Sequence, residues 1–432
     1  MTYVLVPGME TTARLMRMAR LAVAVALLVP VVGDAQARSI PIRRVTTPVD
    51  SKESFSVPPS VRGLPGGRLL VNDQRGKRLL VFDSTLTSAT VIADSARSTG
   101  VAYPGGALLN PLMRYIGDST LLVDFDARAY VVIDPNGTLV RAMAPVNARD
   151  LSVASRPFPG TPASDHLGRL IFRGSETRPE PKPGDPPSPA TRDTISIVRA
   201  DFNTRRTDTI AFFSVPRFPN TVYTRLSNGK TAGARVINAG VSGPDEWAVL
   251  SDGTLAIVRE HDYIVDWMNP DGTTSSSGKL PFEWVRQTDA MKQARIDSMK
   301  RVIDSVNASG RPYAMELRFT RMPDGGPTRT DTIIPTITFS PLSEMADYPS
   351  PMRRGSVKPD ADGNLWVLPT ATSLARGGLL YDVINKKDGL HERVQLPPGY
   401  DLGGFGAGGV VYLTKIDVAT KSWTLARARV IR

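Results

Sequence analysis

One unit recurs along this chain and limits what it can fold into: a short apolar strand entered from a Gly, Asp or Ser turn, then a second strand after a loop. Gly67-Arg68-Leu69-Leu70-Val71-Asn72-Asp73 is followed by Lys77-Arg78-Leu79-Leu80-Val81-Phe82-Asp83, and Ser119 to Asp124 by Ala129 to Asp134. The pairing returns as Gly168 to Phe172 with Thr194 to Val198, and as Gly253 to Val258 with Tyr263 to Trp267. It returns again as Gly363 to Val367 with Gly378 to Val383, and as Gly409 to Leu413 with Trp423 to Arg427. Pro135-Asn136-Gly137 and Pro270-Asp271-Gly272 follow two of the second strands. Asn-Gly and Asp-Gly supply the positive φ that tight hairpins need, so a further strand closes each unit.

The units begin near residues 68, 119, 169, 254, 364 and 409, and three of the spacings lie between 45 and 51 residues. That is close to the ~40–50 residues of one propeller blade. The pattern predicts an all-β fold, a six-bladed β-propeller with four strands per blade, here lettered A (innermost) to D. The last unit lacks an obvious fourth strand. Ser39 to Val45 can supply it and close the ring, which protects open strand edges. Seven blades is the alternative, because 110 residues separate the fourth and fifth unit starts. Residues 283–339 lack a Gly-entered strand, however, and read as an insertion. Within it, 283–310 is predicted helical: Thr288 can cap it, and Ile296, Met299, Ile303 and Val306 recur at steps of three and four. Tyr313 to Arg321 and Thr330 to Phe339 then predict a hairpin around Pro323-Asp324-Gly325-Gly326.

Leu250-Ser251-Asp252-Gly253-Thr254-Leu255-Ala256-Ile257-Val258, running to Asn269-Pro270-Asp271-Gly272, resembles an NHL-type repeat. Asp360-Ala361-Asp362-Gly363-Asn364-Leu365-Trp366-Val367 does so too, and the likeness covers most of residues 55–432. The third unit departs from it, with a Pro-rich loop at 174–193. The resemblance implies an architecture rather than an activity, since such propellers include ligand binders, protein-interaction scaffolds, lactonases and lyases.

The start of the chain predicts export. Arg14, Arg17 and Arg20 precede the 12-residue apolar run Leu21 to Val32, and Ala35-Gln36-Ala37 forms an A-x-A site. This is the plan of a secretory signal peptide over 1–37, leaving the propeller at 38–432 in the periplasm or outside the cell. The run falls short of the ~20 residues that span a bilayer, and no later stretch is expected to span one. Cysteine is absent, which excludes disulfides, thiolate metal sites and a cysteine nucleophile. The formal charge of +11 is dispersed over pairs such as Arg43-Arg44, Arg205-Arg206 and Arg353-Arg354. A cationic surface outside the cytoplasm suits an anionic polysaccharide or lipid better than nucleic acid.

The A-to-B and C-to-D turns are short. The long segments 94–108, 144–163, 174–193, 214–244 and 281–355 all belong to B-to-C or D-to-A connections, on the opposite face. Long loops on one face of a rigid scaffold are where recognition concentrates. Candidate polar groups there include Asp73, Arg75, Asp126, Arg128, Glu260 and Asp262. The expected ligand-binding residues are Arg259, His261, Tyr348, Arg353 and Arg354, with arginine suited to a carboxylate or phosphate. The expected partner is a protein, peptide or anionic glycan. His166, His261 and His391 are predicted in an A-to-B turn, a B-to-C loop and a D strand, which does not gather them around one metal. Aspartate-rich turns such as Asp360 to Asn364 lack the full EF-hand spacing, and no nucleophile elbow, phosphate loop or dinucleotide fingerprint is present. No cofactor is therefore expected. The sequence favours a binding scaffold, with a metal-assisted hydrolase or lyase in the central channel as the alternative.

Overall fold

A computed structural model describes residues 40–432, apart from 106–109, 156–157, 176–191, 217–221, 229, 238–241, 311, 321–328 and 372–375. The leader expected at 1–37 lies outside the described residues. Everything below belongs to the compact unit Pro41–Arg432.

Six antiparallel blades follow in chain order. Blade 1 comprises Ser60–Gly63, Leu69–Asp73, Arg78–Phe82 and Ala89–Asp94; blade 2 comprises Met113–Arg114, Thr120–Asp124, Ala129–Ile133 and Leu139–Met143. Blade 3 is Ala163–Ser164, Leu170–Arg173, Arg192–Asp201 and Arg206–Pro216; blade 4 is Glu246–Val249, Leu255–Arg259, Ile264–Met268 and Thr274–Ser276. Blade 5 is Lys358–Pro359, Leu365–Val367, Leu380–Asn385 and Gly389–Gln395, and blade 6 begins with Tyr400–Phe405, Val410–Asp417 and Ser422–Arg429. The six-bladed expectation holds, and the seven-bladed alternative falls.

The B strands read as unbroken apolar runs because both of their faces are covered. Leu69–Asp73 is buried at every position, as a strand sandwiched between two other sheets must be. The six large apolar clusters each join two neighbouring blades. Leu121, Val123 and Tyr130 meet Leu170 and Phe172 between blades 2 and 3, while Ile195, Ile197 and Phe213 meet Trp247 and Ile257 between blades 3 and 4. The sixth such cluster packs Val410, Tyr412 and Leu425 against Leu69, Val71 and Phe82, which closes the ring.

Ring closure differs from the expectation in register. Strand β1, Ile42–Arg44, does not complete blade 6; it runs parallel along the outer strand of blade 5, with Ile42 opposite Arg393. The closing D strand is β2, Val49–Phe55, antiparallel to Ser422–Arg429 with Val49 opposite Arg427. Phe55 decides this choice. It is buried in the cluster between blades 6 and 1, whereas Ile42 stays exposed. Burying a phenylalanine side chain is worth ~1.5–3 kcal/mol, which the earlier segment has no aromatic to match.

The aspartate turns serve the fold. Asp360 Oδ1 accepts from the backbone N–H groups of Asp362 and Asn364 at 2.9 and 2.7 Å, and its Oδ2 accepts from Trp366 Nε1 at 3.0 Å. Gly137 and Gly272 adopt φ of 91° and 88° in the hairpins read from their sequence. A short helix, α1 (Asp150–Ala154), lies in the connection to blade 3.

The insertion contains the expected helix, α2 (Asp289–Ala308), whose first turn is capped by Thr288 Oγ1 accepting from the Met291 N–H. Buried Lys292 holds it down, donating from Nζ to the carbonyls of Leu342 and Met345 and pairing with Asp347 at 2.7 Å. The hairpin is shorter than expected, Glu316–Thr320 against Arg329–Ile333, and its predicted turn lies outside the described residues. Thr336–Phe339 leaves that hairpin and pairs in parallel with Thr231–Ile237. The segments 214–244 and 283–339 thus build one shared accessory sheet, which the sequence reading had kept apart.

Candidate functional site

The innermost strands enclose a central cavity of about 400 Å³, lined from all six blades. Its two ends differ chemically. At the long-loop end stands Glu246, the first residue of blade 4. Its Oε1 accepts from the Gly355 N–H at 2.6 Å and its Oε2 from the Gly160 N–H at 3.1 Å. Both donors are glycines for a steric reason. A Cβ on Gly160 would lie 2.0 Å from the Trp247 ring, and one on Gly355 would lie 2.1 Å from the Phe158 ring. Both also hold positive φ, 98° and 73°. Burial pushes the Glu246 carboxyl up to about 7, against the opposing pull of the two N–H groups and the Arg354 charge. Desolvation outweighs hydrogen bonding here because the side chain is almost wholly removed from water.

Three cations line the rest. Arg62 (blade 1) donates from Nη1 to the Asp118 carbonyl at 2.8 Å and to Thr120 Oγ1 at 2.7 Å. Arg114 (blade 2) reaches to the two blades that follow, donating from Nη2 to the carbonyls of Ser164 at 2.8 Å and Leu250 at 2.7 Å. Lys358 (blade 5) donates to the Leu402 carbonyl at 2.7 Å. Burial lowers Arg62 to about 10, opposed by Asp118 and reinforced by the nearby Arg114 charge. It lowers Lys358 to about 8, opposed by Asp401.

The expected ligand-binding residues divide into two groups. Arg259 is tied into a charged cluster between blades 3 and 4, pairing with Asp245 at 3.1 Å and Asp266 at 2.7 Å. Glu260, in the same cluster, is buried against Arg192 at 3.2 Å and the Gly243 N–H at 2.9 Å. His261 is exposed in the turn that follows. Tyr348, Arg353 and Arg354 lie on the connection into blade 5 and are all exposed. The Tyr348 ring meets Trp284 edge-on at 6.1 Å, and Trp284 meets Phe282 at 4.9 Å. Asp73 is buried, accepting from the Gly76 N–H and pairing with Arg78 at 2.9 Å, so it shapes its own turn. His166, His261 and His391 fall in the A-to-B turn of blade 3, the B-to-C turn of blade 4 and the D strand of blade 5.

The residues that sequence reasoning missed are Arg62, Arg114, Glu246 and Lys358. Their strands are only two to four residues long, too short to show a period. A signal does exist: each charge precedes the start of its blade's B strand by six to nine residues.

No protein-family model matches the chain, and no curated protein does. Among solved structures, it is similar to a DUF4221 family member from Bacteroides vulgatus, at 10% identity and TM-score 0.47, covering 90% of this chain and 98% of that one. A catalytically inactive virginiamycin B lyase from Staphylococcus aureus with quinupristin aligns at 9% identity and TM-score 0.39, covering 89% and 99%. A putative exported protein from Bacteroides fragilis aligns at 9% identity and TM-score 0.38, covering 89% and 95%. At these levels the β-propeller assignment stands on the chain's own blade order and interblade cores.

Proposed function

We propose that this protein is an exported NHL-type β-propeller that binds a negatively charged protein, peptide or glycan over its long-loop face. The observation that carries the reading is the surface of residues 348–354. There Tyr348 (45% exposed) and Trp284 (39% exposed) present adjoining rings, and exposed Arg353 and Arg354 follow on the same connection into blade 5. Large aromatics left open to water on a connection that also carries exposed arginines are a recognition composition, with flat apolar area for contact and planar cations for carboxylate or sulfate. Export is supported by the Arg-flanked 12-residue apolar run and the A-x-A site ending at Ala37. Among the described residues, no helix is long and apolar enough to cross a membrane.

Binding is tested with polygalacturonate as the anionic probe and a neutral glucan as control. Arg353→Ala with Arg354→Ala should weaken polygalacturonate binding at least tenfold while circular dichroism shows the fold retained; Arg353→Ala alone should weaken binding in the same direction and leave thermal stability nearly unchanged, since an exposed charge contributes little to folding. Equal binding by parent and double variant would place the site elsewhere. N-terminal sequencing of exported protein should begin at Arg38; a start at Met1 would refute cleavage. The hydrolase or lyase reading has less support, because a divalent cation in the channel would face Arg62, Arg114 and Lys358. A stoichiometric metal in the purified protein would reverse that preference.

A further inference from the structure

The central cavity gathers three cations, with Asp118, Glu246 and Asp360 also in its lining. Arg62, Arg114 and Lys358 come from three different blades and line one space of about 400 Å³. Each is satisfied in part by carbonyl or hydroxyl oxygens, which anchor the side chain without neutralising it. Among the described residues, none of the three forms an ion pair. Arg62 and Arg114 each leave Nε and one terminal nitrogen without a protein acceptor, and Lys358 uses one of its three N–H donors. Desolvating a cation is costly unless an anion joins it, and Asp118, Asp165, Asp252 and Asp401 act on these groups only from beyond ion-pair distance, which leaves part of the demand open.

The carboxyl groups of the lining meet it only in part. Asp360 is engaged by its own turn and by Trp366, Asp118 sits exposed at the short-turn rim, and Glu246 is held by two N–H groups at the far end. An interblade tie alone would account for the bonds made through one nitrogen of each arginine. It does not account for a lysine aimed at a single carbonyl in the same cavity.

We propose that the channel is a binding site for a small polyvalent oxyanion, a phosphate or a polycarboxylate, held between Arg62, Arg114 and Lys358. The guanidinium groups of Arg62 and Arg114 supply paired N–H donors to its oxygens, and Lys358 supplies a point charge from the side. The volume suits a small molecule. Glu246 at the long-loop mouth favours one that enters with its uncharged part trailing. The three cations belong to other strands than the 348–354 surface, although the Arg354 charge reaches Glu246 at the cavity mouth.

The test is calorimetric titration of the purified protein with inorganic phosphate and with citrate, at constant ionic strength against chloride. One saturable site is expected for at least one of them, with a rise in melting temperature. A stronger response to phosphate identifies a phosphoryl ligand, and a stronger response to citrate a polycarboxylate. Lys358→Met should weaken binding at least tenfold, and Lys358→Arg should keep it within threefold. Methionine is apolar and similar in length, so the variant is expected to fold. If it does not, tungstate soaked into crystals of the parent should give anomalous density between the three cations. No response of the parent beyond chloride, undiminished binding by Lys358→Met, or a channel without tungstate would overturn the proposal and leave the three side chains as interblade ties.

Discussion

Glu246 offers the sharpest test of the site's electrostatics. Its carboxyl moves from 4.5 to about 7 on burial. The folded protein therefore holds this proton more tightly than the unfolded chain does. The stability it contributes is fully present below about 4.5, falls as pH rises through about 7, and changes no further above that. A tenfold change in proton affinity is worth ~1.4 kcal/mol, so the loss across this window is on the order of 3 kcal/mol. Glu246→Gln removes the titration. It also leaves one of the two N–H groups without an acceptor, a constant cost of ~1–3 kcal/mol that does not vary with pH. Urea unfolding of parent and variant, followed at pH 4.5, 5.5, 6.5 and 7.5, isolates the effect, because every other titrating group cancels in the difference. The parent should be the more stable at the acid end and should lose its advantage toward neutrality. A difference that is flat, or that grows in the parent's favour as pH rises, would show that the Gly160 and Gly355 N–H groups hold the ionised carboxylate well enough to defeat desolvation.

Three further outcomes are expected. Phe55→Ala should cost ~3–5 kcal/mol, read as a lower urea midpoint, because the ring fills the cluster that joins the last blade to the first. Gly160→Ala should abolish soluble expression or lower the melting temperature sharply, since its Cβ meets the Trp247 ring at 2.0 Å; Gly272→Ala, where nothing lies within 4 Å, should cost only the ~1–2 kcal/mol of a non-glycine residue at positive φ. Lys292→Ala should free helix α2, making residues 289–308 the first site of trypsin cleavage while the strand signal in circular dichroism is unchanged.

What the sequence disclosed follows burial. The B and C strands repeat as apolar runs because two neighbouring blades cover them, so Leu69–Asp73 or Ala129–Ile133 stand out unaided. The A strands carry the charged lining of the cavity and are almost silent. Met113–Arg114 and Lys358–Pro359 are two residues each, with a cation whose environment depends on blades far away in the chain. Arg114 bonds to Leu250, 136 residues on, and no local pattern can report such a contact. Closure was half legible: a strand from the start of the chain was expected, but the choice between Ile42–Arg44 and Val49–Phe55 turned on Phe55 and its tertiary berth. Of the long loops, Tyr348, Arg353 and Arg354 are exposed, whereas Arg259 is absorbed into an ion cluster with Asp245, itself brought in from the connection before blade 4.

Strand β2 also imposes an order in time. Val49 pairs with Arg427, so the earlier segment must wait for one made far later in the chain. At ~5–20 residues per second, the interval between them is roughly 20 to 80 s of synthesis. Throughout it, five sheets can assemble in sequence from contacts within and between neighbours, while Val49–Phe55 remains an unsatisfied edge carrying a bare aromatic. Such an edge is a template for pairing with another chain, and crowded nascent copies would offer one. The maturing protein is thus most at risk just before Ser422–Arg429 becomes available, and a holdase that shields residues 49–55 until then should raise yield.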